Sequence, residues 1–300
     1  MTRRPLLILL VIVWAISWPV IKIGVGVVPP LWFACLRYVV ATVILGAIIG
    51  GRGALRAPNR ADWRLIIVSG ALQMAAFSAL TSLALTKLPA GRASVLAFST
   101  PLWVLPLAVW RGQERVSMRG VVGVVTGLAG IVIIALPTLV RGHVQDVTPY
   151  VLLAGAALAW AVSIVLVREH RFESEPLALA PWQTLIAALL LVIVAGVREG
   201  PMPAIGPRGL AALAYVAPIA TAFAYWAVVE VGRHIPASEL SVALLATPTL
   251  GLMVSAVTLH ESIDAALVAG MLLVGGGIYL SSIKVPRRRS VHSSETRPTR

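Results

Sequence analysis

The chain has 300 residues, of which 58% are hydrophobic and only 12% charged, with a mean hydropathy of +0.90. Average soluble usage is about 45–50% apolar and about 25% charged, so a single globular core cannot hide this much apolar surface. That excludes a disordered chain, a coiled coil and an ordinary cytosolic enzyme, and it leaves a formal net charge of +13 to be explained.

In chain order, apolar runs fall at roughly 6–28, 31–50, 64–86, 90–110, 119–137, 149–167, 176–197, 208–230, 236–258 and 264–283. Each is close to the ~20 residues that a helix needs to cross about 30 Å of hydrocarbon. The expected fold is an all-α integral membrane protein with ten transmembrane helices in a lipid bilayer. The first run follows Thr2, Arg3 and Arg4 as a signal peptide would, but it continues past Trp14 to Val28 with no small-x-small cleavage site. It reads as a retained span. Turn chemistry marks the breaks: Pro29-Pro30, Gly50-Gly51, Ala57-Pro58-Asn59 and Gly200-Pro201. The single cysteine, Cys35, lies in an apolar run, and no Cys/His zinc spacing exists. No metal and no cofactor are expected.

The basic excess is a topology signal. With the N-terminus in the cytoplasm, the inner segments carry 18 Lys and Arg, among them Arg52, Arg56, Arg111, Arg115 and the tail Arg287–Arg289. The outer loops carry 5: Lys87, Arg92, Arg141, Arg198 and Arg208. This asymmetry places both termini inside a bacterial inner membrane. The basic tail 285–300 lacks aromatic interleaving, so no nucleic-acid partner is expected. A monomer or weak oligomer is expected.

The chain repeats itself. Residues 88–131 align with 235–278 without a gap, at an offset of 147, with 12 of 44 positions identical. Among them are Pro89/Pro236, Ser94/Ser241, Thr100/Thr247, Pro101/Pro248, Glu114/Glu261, Gly123/Gly270 and Gly130/Gly277. A weaker echo links Trp14-Ala15-Ile16-Ser17 to Trp160-Ala161-Val162-Ser163. The chain thus divides into five-helix units at 1–142 and 143–284. Five is odd, so the second unit enters from the opposite side. Inverted repeats of this kind typify secondary transporters. A Pro in the fourth span, a Glu in the following loop and two Gly seven residues apart recur in both halves. In this the chain resembles the EamA type of the drug/metabolite transporter superfamily, and within it the YddG-type bacterial exporters of aromatic and other amino acids. The resemblance implies a central cavity lined by the first, third, fourth, sixth, eighth and ninth helices.

Pro101 and Pro248 lie in mid-span, where proline removes a backbone bond and kinks the helix. They are the expected hinges of alternating access, and Pro19, Pro106 and Pro218 add further breaks. Gly120, Gly123, Gly127 and Gly130, like Gly270 and Gly277, make smooth packing faces. Glu114 and Glu261 are expected to interact with the dipole of the next helix, with Ser117 and Asp264 as N-caps.

The candidate substrate-binding residues are the mid-span polar and aromatic ones: Trp14, Ser17 and Trp18 on the first helix, and Trp160 and Ser163 on the sixth. Gln73 and Phe77 on the third, Ser99, Thr100 and Trp103 around Pro101, and Tyr225 on the eighth complete the set. Aromatic faces can stack on a ring or sit beneath a cation. Lys22 shares a helical face with Trp14 and Trp18 and is a candidate partner for a substrate carboxylate, whereas Arg37 is expected to snorkel. Trp63, Trp110 and Trp182 are expected in interface belts.

No Asp, Glu or His falls in the middle of a span. This removes the usual routes to a membrane hydrolase and to proton coupling. The expected activity is facilitated export of a neutral or zwitterionic small-molecule substrate. The alternatives are drugs or organic cations such as quaternary ammonium compounds, and other metabolites such as nucleosides, sugar derivatives and phosphorylated sugars or nucleotides. A cation would call for a buried carboxylate, a phosphorylated substrate for several cavity Lys or Arg.

Overall fold

The computed structural model describes residues 3–115, 117–141, 144–168, 173–235, 240 and 243–282. The basic tail 285–300 lies outside the described residues, as do Arg171, Lys284 and, from the repeat alignment, Pro236, Ala237, Glu239, Ser241 and Val242. The described chain is helical. In order come α1 (Arg4–Val25), α2 (Pro30–Gly51), α3 (Arg60–Leu85), α4 (Ala90–Trp110) and α5 (Met118–Arg141). Then follow α6 (Val144–Val167), α7 (Pro176–Glu199), α8 (Pro207–Gly232), α9 (Ala246–Leu259) and α10 (Ala265–Ser282). Among the described residues nine helices are long and apolar enough to cross a membrane, and α9 is a shorter apolar helix.

The ends follow from backbone chemistry. Pro30, Pro176 and Pro207 open α2, α7 and α8, where an N–H would have no intrahelical partner anyway. Beyond α2 and α7 stand Gly53 and Gly200, with φ of 66° and 78°. They are separated by the repeat offset of 147. α4 runs out into Gly112 (φ 70°) and α9 into His260 (φ 55°). Ser117 accepts from Gly120 N (3.0 Å) and Asp264 from Leu267 N (2.7 Å), so both cap as their positions suggested.

The prolines behave differently from expectation. α4 stops at Ala97, turns through Phe98 and Ser99, and restarts at Thr100. Pro101 therefore stands in a first turn and does not kink a continuous helix. Likewise α9 starts at Ala246, after Leu245, with Pro248 in its first turn. A first turn needs no proline N–H, so the break itself carries the bend, and proline keeps it from being repaired. Pro19 and Pro106 lie inside helices that continue past them.

α3 and α8 each contain a stretch of π-helix, Ser69–Ala76 and Val216–Phe223. These too are equivalent at the offset of 147, although their sequences share only Ala75 and Ala222. In α8 the stretch includes Pro218, and the Thr221 hydroxyl donates to the Val216 carbonyl five residues back (2.8 Å). In α3, Gly70 lets α7 approach: a Cβ there would lie 2.7 Å from the Gln183 carbonyl oxygen. Such π insertions are rare and cluster at functional sites.

The packing obeys the same symmetry. α5 packs most extensively on α10 and α2 on α7, and α4 also packs on α9, each a pair of repeat equivalents. The remaining contacts exchange: α1 packs on α8 and α9, while α6 packs on α3 and α4. The first helix of each half thus sits in the other half. At the α5–α10 crossing the backbones meet. A Cβ on Gly277 would lie 2.5 Å from Gly123 O, and one on Gly130 would lie 2.7 Å from Gly270 O. Away from these contacts α5, α7 and α10 expose Val125 (61%), Val197 (80%) and Leu272 (67%), an apolar exterior suited to lipid.

Candidate functional site

The break in α4 is where aromatic side chains from four helices converge. The Phe98 ring lies 6.2 Å from Trp18 of α1 and 6.5 Å from Trp160 of α6, centroid to centroid. Trp160 in turn meets Phe77 of α3 edge-on at 4.9 Å. The rings are tilted or T-shaped, an arrangement favoured by their quadrupoles. Phe98 holds this chain together, yet its repeat equivalent is Leu245, so comparison of the halves did not single it out. Its position three residues before a mid-span proline was the available signal, because Pro101 cannot bond the Ala97 carbonyl four residues back and its ring clashes there, which opens the helix at Phe98.

Polar groups surround the break. Trp103 donates its indole N–H to Ser99 Oγ at 3.4 Å. Ser17 donates to the Trp14 carbonyl (2.7 Å) and Thr100 to the Ala97 carbonyl (3.0 Å), each within its own helix. Their equivalents in the second half differ: Ser163 Oγ and Thr247 Oγ1 are buried without a hydrogen-bond partner. A buried hydroxyl left unpaired costs about 1–3 kcal/mol, which a polar ligand atom would recover.

Other candidates stand apart from the aromatic chain. Trp14 packs with Leu10 and Val13 of α1 and Ala220, Ala224 and Ala227 of α8. Trp103 packs on Ala161 and Val165 of α6. Tyr225 donates to Gln183 Oε1 of α7. Gln73 is half-buried on the π stretch of α3, one turn before Phe77. Pro248 is buried, and its carbonyl accepts from Ser94 Oγ at 3.4 Å. A small crevice between α4, α9 and α10 is lined by Phe98, Leu245, Pro248, Thr249 and Met271.

The two intramembrane cations are tied to neighbouring helices. Lys22 Nζ donates to the Leu85 carbonyl at the C-terminal end of α3 (2.6 Å). Arg37 does not simply reach for the surface: its Nε donates to Thr221 Oγ1 on the π stretch of α8 (3.1 Å). Trp63 and Trp182 pack edge-on at 6.1 Å, with the Trp182 indole N–H on the Arg56 carbonyl, and Trp110 is 80% exposed.

The loop carboxylates also depart from expectation. Glu261 does not serve α10, the next helix. Its two oxygens accept from Ala90 N (2.6 Å) and Gly91 N (2.9 Å), the N-terminus of α4. Glu114 pairs with Arg168 at 2.8 Å. Beside Glu261, Arg92 binds Asp264 and the Tyr150 hydroxyl, which also bonds Thr138.

One known family model matches the chain twice, once in each five-helix unit, over residues 5–136 and 147–283. The chain belongs to the EamA-like transporter family. It is 26% identical to an uncharacterized transporter, YvbV, of Bacillus subtilis, over 94% of this chain and 92% of the relative. It is 25% identical to a probable amino-acid metabolite efflux pump of Salmonella typhimurium, covering 96% of this chain and 97% of that one. With a probable terminal-alkyne amino-acid exporter of Streptantibioticus cattleyicolor it shares 29% identity over 94% of each chain. A solved crystal structure superposes with a TM-score of 0.61 over 92% of this chain and 97% of the other, at 23% identity, which shows the fold. This EamA-like chain is a multi-pass membrane transporter whose named relatives include a probable amino-acid metabolite efflux pump and a probable terminal-alkyne amino-acid exporter.

Proposed function

We propose that this chain exports amino acids, aromatic and other neutral ones, or related zwitterionic metabolites. It works by alternating access in a bacterial inner membrane, as a monomer or weak oligomer with both termini cytoplasmic, and it has no enzymatic activity. In this reading the halves divide at residues 142 and 143. The observation that carries the proposal is the aromatic chain Trp18–Phe98–Trp160–Phe77 at the α4 break. Aromatic faces suit an apolar or aromatic side chain. The unpartnered Ser163 and Thr247 hydroxyls offer hydrogen bonds to an ammonium or carboxylate. The names of the two amino-acid-exporting relatives point the same way. The spans carry no mid-helix Asp, Glu or His, so transport runs down the substrate gradient without obligatory proton exchange.

The test is counterflow in proteoliposomes. Phenylalanine, tryptophan, leucine and alanine are compared with tetraphenylphosphonium, with and without a pH gradient. Saturable amino-acid counterflow unaffected by the gradient is expected. Replacing Phe98 or Trp160 with Ala should raise the KM for aromatic substrates about five- to ten-fold, the worth of one good ring contact. Movement of the cation alone would replace this reading with organic-cation export, and accumulation driven by the pH gradient would end the facilitative one.

A further inference from the structure

Glu114 and Glu261 are repeat equivalents, yet each holds a different kind of partner. Glu261 forks onto two backbone N–H groups of α4, spanning the α4–α9 pair. Glu114 holds a side-chain cation, Arg168, and both groups are nearly half exposed, at 44% and 47%. The cations are equivalent as well. Trp14 and Ser17 match Trp160 and Ser163 at an offset of 146, and the same offset carries Lys22 onto Arg168. Each half therefore has a basic residue at the end of its first helix and a carboxylate in the loop after its fourth. At the opposite end the corresponding pair, Lys22 of the first half and Glu261 of the second, is broken: Lys22 sits on the Leu85 carbonyl.

We propose that Glu261 is a latch that exchanges partners. In the latched state it holds the N-terminus of α4, while Lys22 rests on the C-terminus of α3. When the transport path opens at this end, Glu261 leaves Ala90 and Gly91 and pairs with Lys22, as Glu114 pairs with Arg168. The exchange keeps the charges compensated in both states. A carboxylate moves from a helix N-terminus to a cation, and an ammonium moves from a helix C-terminus to a carboxylate. Packing supports the latched state. A Cβ on Gly91 would lie 2.5 Å from Leu252 Cδ1, so α4 and α9 are in close contact where the carboxylate joins them. This inference rests on the alternating-access reading and adds the device that holds one state.

The experiment reads the latch without a substrate. Ser94 is fully buried between α4 and α9, one turn from Gly91. Ser94→Cys, with Cys35→Ser removing the native thiol, reports separation of the two helices through its rate of labelling by a polar maleimide in nanodiscs. Glu261→Gln loses its charge-assisted bonds and should label about ten-fold faster. Lys22→Gln removes the partner of the open state and should label more slowly, while Lys22→Arg should behave as the parent. Labelling of Lys22→Gln at the parent rate or faster overturns the exchange, leaving Glu261 a static cap, and an unchanged rate in Glu261→Gln overturns the latch. If Glu261→Gln fails to fold, the Lys22 pair decides alone. Should labelling follow the expected pattern while no tested solute moves in proteoliposomes, the transport reading falls and the latch stands.

Discussion

Two helix pairs cross the same pseudo-twofold axis and are built on opposite principles. In α5–α10, glycine faces bring backbone against backbone, with Gly123 on Gly277 and Gly130 on Gly270. In α4–α9 the contact runs through two interrupted helices, each restarting just before its proline. At these glycines the first pair meets backbone on backbone, with Ile134 packed tightly against Gly270, so little room is left to slide. The second has breaks, a crevice and unpartnered hydroxyls. In the proposed alternating-access cycle, α5–α10 is the scaffold and α4–α9 is the pair that moves.

The sharpest test of that division is to add side chains to both. Gly277→Leu would drive a branched group into the Gly123 carbonyl, and loss of folded protein, a destabilisation of about 3 kcal/mol or more, is expected in detergent melting curves. At Gly251 of α9 the nearest neighbour of a new Cβ is Ser94 Oγ at 3.4 Å, so Gly251→Ala should cost under about 1 kcal/mol. Equal losses at the two sites would erase the distinction.

Next in size is the effect on movement. Pro101→Ala and Pro248→Ala allow α4 and α9 to run straight through their breaks. Because both prolines stand in a first turn, substrate flux should fall about ten-fold while stability changes by less than about 1 kcal/mol. Unchanged flux with normal expression would show that the breaks are static.

The smallest effect is expected at the end of α9. His260 holds a left-handed backbone (φ 55°), the conformation that Gly112 supplies after α4. His260→Gly should stabilise the protein by about 0.5–1 kcal/mol, read by thermal unfolding, because glycine adopts this region without a Cβ clash. A loss of stability would mean that the imidazole makes a contact worth more than the strain.

The spans, the glycine faces and the two helix caps at Ser117 and Asp264 were legible in the sequence because each is a local pattern. The proline sites were half legible. Their positions marked the breaks, but whether a helix kinks or restarts depends on neighbouring packing. The π stretches share only Ala75 and Ala222, since Gly70 and Pro218 reach the same geometry by different means, one by close approach and one by a missing N–H. The acceptor role of Glu261 was out of reach because its partners lie 170 and 171 residues away. Of the aromatic candidates, Trp18, Phe77 and Trp160 come together, whereas Trp14 and Tyr225 face other neighbours. Their common amphipathic character could not separate these fates.

The crossed placement of α1 and α6 has a consequence for biosynthesis. α1 leaves the ribosome first, but its packing partners α8 and α9 are the eighth and ninth elements to be made. Some 200 residues separate Arg4–Val25 from Pro207–Gly232, and at about 5–20 residues per second that is roughly 10–40 s of waiting in the bilayer. During that interval the buried face of α1, with Leu10, Ser17 and Trp18, is open to lipid and to other nascent chains. The newborn protein is therefore most vulnerable at its first helix, and a cell making it benefits from an insertase that shelters that helix until the last third of the chain arrives.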